Sequence, residues 1–103
     1  MKLKNDNDTY DEFQNHFAYD LLQIIRQELE QSSLNQMQIR ELTTNIGFNI
    51  ACLLDASIEF SVQGQAITPI LTFSTDNETL LHQDSPSSMH EYIHGNIDEL
   101  FES

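Results

Sequence analysis

The stretch SIEFSVQGQAITPIL, residues 57–71, decides the fold class of this chain. Ile58, Phe60 and Val62 alternate with Glu59, Ser61 and Gln63, the period of two that belongs to a strand with one apolar face. Gly64-Gln65 then reads as a two-residue hairpin turn with Gly at its first position. That turn sets Val62 opposite Ile67, Phe60 opposite Pro69 and Ile58 opposite Leu71, and the apolar faces coincide. Pro69 lacks an amide donor, which predicts an edge strand, and an edge is where a partner can pair.

The segments on either side follow the helical period. Thr9-x-x-Glu12 has the form of a capping box, and Phe13, Phe17, Leu21 and Ile24 recur behind it with Leu22, Ile25 and Leu29. This predicts a first helix over residues 10–31. A second helix is expected to bury Ile39, Leu42, Ile46, Ile50, Leu53 and Leu54 on one face. Met37, Phe48 and Cys52 fall nearly opposite, so a helix apolar on two sides needs either a second layer or a partner. Those three residues are the candidate interface. Gly47 costs about 1 kcal/mol relative to Ala inside a helix, a cost that close approach of another element would explain.

Residues 75–88 read as a polar loop punctuated by Pro86. Ser88-x-x-Glu91 then suggests a second capping box, opening a C-terminal helix with Met89, Tyr92, Ile93, Ile97 and Leu100 on one side. The expected fold is α+β: two antiparallel helices, a β-hairpin and a C-terminal helix, in the order α-α-β-β-α. It occupies residues 9–103 as a single small domain, with 1–8 as a flexible N-terminus.

Charge narrows the function classes. The chain of 103 residues has a formal net charge of −13, and Lys2, Lys4, Arg26 and Arg40 are its only Lys or Arg. Such a surface repels nucleic-acid phosphates and anionic membranes, and it suits a protein partner, a basic one included. The start of the chain has no apolar run of a secretory signal, and no stretch is apolar enough to span a membrane. A single cysteine, Cys52, cannot form an internal disulfide, which fits a reducing, cytoplasmic setting.

One motif carries metal chemistry on its face. HEYIH, residues 90–94, places His90 and His94 four apart with Glu91 after the first. On a helix the two imidazoles point the same way and could share a zinc ion. Over these five positions the chain resembles zinc metallopeptidases, and the resemblance implies His90 and His94 as ligands and Glu91 as general base. The longer signature of those enzymes departs here, because Ile97 and Leu100 stand where a Gly and a third ligand belong. His16, His82 and Asp84 are the other sources of a third ligand, and Asp98 at the next turn lies too far along the axis to join both histidines.

No cofactor is therefore expected, with zinc the one to test. The leading expectation is a cytoplasmic, non-enzymatic interaction or regulatory domain that associates as a homodimer. The first rival is an acidic inhibitor of a nucleic-acid-binding enzyme, a DNA mimic of the phage-antagonist or immunity type. The second is a small zinc-dependent hydrolase built on HEYIH.

Overall fold

The structure is a computed structural model and describes residues 1–102. Strand β1 (Lys2–Asn5) leads into helix α1 (Asn7–Leu29), and a short turn joins α1 to helix α2 (Gln36–Leu54). Strands β2 (Ser61–Val62) and β3 (Gln65–Ala66) form a hairpin, and strand β4 (Thr79–His82) follows. A single 3₁₀ turn, Met89–Tyr92, runs directly into helix α3 (Ile93–Glu102). The order of helices and hairpin is the one the sequence predicts, and the class is α+β.

The N-terminal segment differs from expectation. Residues 2–5 are a strand paired in parallel with β4, with Leu3 opposite Leu80 and Asn5 opposite His82. Asn5 donates to Asp84 and closes the end of the ladder. The N-cap of α1 is Asp6 rather than Thr9: Oδ1 accepts the Thr9 amide at 3.1 Å and Oδ2 accepts the Thr9 hydroxyl at 2.9 Å. The Thr9 amide, then its hydroxyl, hold the Asp6 carboxyl below its usual range. The helix thus starts three residues early, directly behind the strand.

Residues 79–82 also correct the loop expected there. Asp76 organises the turn before β4, accepting from the amides of Glu78 and Thr79 at 2.8 Å each. These bonds, backed by the hydroxyls of Thr79 and Ser74, hold its pKa down to about 2. Leu81 is the buried residue of β4, and its amide and carbonyl both pair with Phe73. The Phe73 ring in turn sits 5.2 Å from Tyr10, 5.9 Å from Phe13 and 5.7 Å from Phe17. This aromatic cluster joins the small sheet to α1. It also explains why Phe13 and Phe17 lie beside the helix–helix contact instead of within it.

The contact between α1 and α2 sets a few large side chains among small and polar ones. The buried line on α1 is Tyr10, Gln14, Ala18 and Leu22, and on α2 it is Ile39, Thr43, Gly47 and Ala51. Both lines keep the four-residue spacing of a helical ridge. Gln14 is tolerated there because it is bonded, its Oε1 accepting the Ser88 amide at 2.9 Å. Because the small residues take the contact, the large aliphatics expected in the core are displaced outward. Leu42, Ile46, Ile50 and Leu53 are 37–46% exposed, and Ile24 on α1 is 66% exposed.

Helix α3 is fastened over α1 and α2, burying Ile93, Ile97 and Leu100 against Ala18, Leu22 and Ala51. Arg26 donates to the Leu100 carbonyl at 2.6 Å, and its guanidinium lies 4.4 Å from the centre of the Phe101 ring. Arg40 meets Asp98 at 2.7 Å and Glu102 at 3.4 Å. Both arginines therefore meet the C-terminal end of α3, where the helix dipole favours a cation.

The hairpin has a different turn from the expected one. Its central residues are Gln63 and Gly64, both at positive φ (52° and 80°), with Val62 paired to Gln65 and Ser61 to Ala66. Two positive φ values give the mirror-image turn whose twist matches paired strands. The pairing slips by two residues, so Phe60 rather than Val62 bonds to Ile67, and each side chain keeps its face. The two strands touch no other helix or strand of the described residues.

Gly47 and Gly95 separate two roles of glycine in a helix. A Cβ on Gly47 would lie 2.3 Å from Cδ2 of the fully buried Leu22, whereas one on Gly95 would meet nothing within 4 Å. Gly47→Ala is expected to destabilise by about 1–2 kcal/mol despite the better helix propensity of Ala. Gly95→Ala is expected to stabilise by about 0.5–1 kcal/mol. Urea unfolding of the two variants checks the opposite signs.

Candidate functional site

The two histidines of HEYIH stand on different elements. His90 belongs to the 3₁₀ turn and His94 to the first turn of α3. The Phe48 ring of α2 packs against both, 6.1 Å from His90 and 6.2 Å from His94. Glu91 is exposed.

His90 has a partner that the motif does not foretell. Asp55, the C-cap residue of α2, has a side chain with no solvent exposure. Its Oδ1 accepts the Ser87 hydroxyl at 2.5 Å, and its Oδ2 accepts the His90 backbone amide at 2.7 Å. The His90 ring adds a third contact, Nδ1 lying 2.6 Å from Oδ2. A buried carboxylate is tolerable only with such a set of donors. The carboxylate thus caps the 3₁₀ turn from a distant helix. The box expected at Ser88 and Glu91 is absent, and Ser88 makes no side-chain capping bond. Ser88 gives its amide to Gln14 instead.

The local backbone aims Asp55 at this task. At the end of α2 the Ala56 amide bonds to the Leu53 carbonyl and the Ser57 amide to the Cys52 carbonyl. Ala56 takes φ 61°, completing a reversal that glycine usually makes. The chain turns away there, and the Asp55 side chain faces the turn at 87–90.

A carboxylate on Nδ1 is also how metal-ligating histidines are oriented, so the rest of the ligand set decides the chemistry. Among the described residues no group of three or more His, Cys, Asp or Glu side chains is placed to hold a metal ion. The other candidates for a third ligand are dispersed: His82 pairs with Asp84 at 3.3 Å, Asp98 is held by Arg40, and His16 lines a shallow polar cleft with Asn15, Tyr19, Asn96 and Glu99. An Asp–His pair could activate a nucleophile, but the Ser87 hydroxyl is bonded to Asp55 itself. Cys52 is buried, and burial followed by the nearby Asp55 charge pushes its thiol pKa up, away from the reactive thiolate.

The three candidate interface residues are divided by the fold. Met37 is exposed, Phe48 packs on the histidines, and Cys52 is buried. Two further sets of exposed apolar residues are the α2 stripe Leu42, Ile46, Ile50 and Leu53 and the hairpin arm with Ile58, Phe60, Val62, Ile67 and Ile70, the arm residues being 41–53% exposed. No helix of the described residues is long and apolar enough to cross a membrane.

Sequence reasoning missed Asp55 and Ser87. One signal was present: an acid directly after an apolar helix, at the end where the dipole disfavours it, needs a compensating partner. No known protein family, curated protein or solved structure matches the chain.

Asp55→Ala is expected to cost about 3 kcal/mol, since it strands the buried Ser87 hydroxyl and removes the partner of the half-buried His90 amide and ring. His90→Ala leaves the amide bond in place and is expected to cost about 1–2 kcal/mol. Chemical unfolding of both variants ranks them, and an Asp55→Ala midpoint equal to wild type would refute the capping role.

Proposed function

We propose that this protein is a non-enzymatic interaction domain of the cytoplasm, and that its binding surface is the hairpin arm together with the α2 stripe. The observation that carries this reading is the arm itself. Strands β2 and β3 have no other helix or strand against them, and Ile58, Phe60, Val62 and Ile67 around them are 41–48% exposed. Clusters of exposed large apolar side chains mark association sites.

The remaining chemistry supports the same reading. His90 is engaged with Asp55, and the single thiol is buried. An acidic inhibitor needs carboxylates free to face a basic groove. Here Asp6, Asp11, Asp55, Asp76 and Asp98 are bonded within the chain, on several different elements.

A photo-crosslinking residue placed at Val62 tests the proposal in cells of the organism that encodes the chain. Covalent adducts are expected from Val62 and not from the exposed Glu91 position. Equal yields from the two sites, or none from Val62, would remove the arm as a binding surface.

A further inference from the structure

We infer that the occupant of this surface is a second copy of the chain, with two copies related by a two-fold axis and each arm laid across the other's α2 stripe. The inference rests on the interaction reading above and names its partner.

Self-complementarity is the first argument. One chain carries two separate apolar surfaces, the arm and the line Leu42, Ile46, Ile50 and Leu53, and β2 and β3 make no contact with α2. A two-fold axis buries both surfaces of both copies at once and closes the assembly, leaving no apolar edge for further growth. A single unrelated partner would have to match two differently shaped surfaces.

Area is the second. The exposed parts of these arm and stripe side chains amount to roughly 700–800 Å² per copy, close to the about 800 Å² per partner of a standard stable interface. The chain is also more extended than a compact domain of its length, with a radius of gyration of 15.4 Å against about 13 Å.

Charge is the third. Of 17 acids only Asp55 and Glu59 fall between residues 42 and 75, a segment with no Lys or Arg. Asp55 is buried, which leaves Glu59 in this segment and Asp84 beside Ile70 as the acids at the arm. An apolar counterpart suits it, and this chain supplies one. The two chains each carry a net −13 and repel. Added salt screens that repulsion and leaves the apolar contact, so self-association strengthens with ionic strength, whereas capture of a basic partner weakens.

Analytical ultracentrifugation of the full chain at low and high salt is the test. A mass of twice the chain is expected, with a dissociation constant that falls several-fold between about 0.05 and 0.5 M salt. Val62→Glu in the arm and Ile50→Glu in the stripe are each expected to weaken the dimer at least tenfold while circular dichroism stays native. An equimolar mixture of the two variants should recover a heterodimer, because one arm and one stripe remain intact. A concentration-independent monomer, or a dimer indifferent to both substitutions, overturns the inference. A monomer whose Val62 adducts join it to another protein overturns the second copy and leaves the interaction reading standing. A monomer with no Val62 adducts overturns both.

Discussion

The carboxylate of Asp55, buried and saturated by Ser87 and His90, is the contact on which the arrangement of the three helices depends. It is fixed at the end of α2 and bonds to the turn that opens α3, two elements separated by the entire hairpin and strand β4. An unpaired charge at that depth is strongly unfavourable, so the site admits one arrangement in which all its donors arrive together. From that point α3 can lie only across α1 and α2. Its far end is then held by Arg26 on the Leu100 carbonyl and Arg40 on Asp98 and Glu102.

Side-chain size determines what remains outside. Gly47 lets the Leu22 side chain seat against α2, and Thr43 and Ala51 extend the same close contact. Small residues at the seam fill the space between two helices with little volume, so larger neighbours have no interior left to occupy. Leu42, Ile46, Ile50 and Leu53 consequently face solvent. The exposed apolar surface and the tightness of the helix pair are two consequences of one choice of residues. Charge follows the same partition, since the segment that carries this surface is nearly free of ionised side chains in a chain of net charge −13.

Element types were legible in the sequence wherever one periodicity prevailed over many residues. The two long helices and the alternating hairpin were readable for that reason, along with the α+β class. Hydrophobic patterning placed only Ile39 of the α2 seam, because apolar residues surround most of that helix and the seam uses Thr43, Gly47 and Ala51. The mid-helix glycine was the one other signal pointing there, and Gly47 does meet Leu22. Strands β1 and β4 escaped because their four-residue ladder joins the chain start to Thr79–His82. Pairing across such a sequence separation leaves no local pattern, and every residue of β1 is exposed. At HEYIH the spacing was legible and the chemistry was not. The residue that decides what His90 does, Asp55, lies 35 positions away and is joined to it only by the fold.

A helical body closed by Asp55 is complete without its arm, which leaves the arm available for association. Replacing residues 61–66 by a two-residue Asn-Gly turn tests that separation most directly, since Phe60 and Ile67 are already paired across the cut. The shortened chain, compared with wild type by thermal unfolding at concentrations too low for association, is expected to keep the wild-type midpoint within about 2–3 °C, less than the shift that 1 kcal/mol produces in a domain of this size. Loss of cooperative unfolding, or a midpoint lowered by about 10 °C or more, would show that the body needs the arm and would contradict the account.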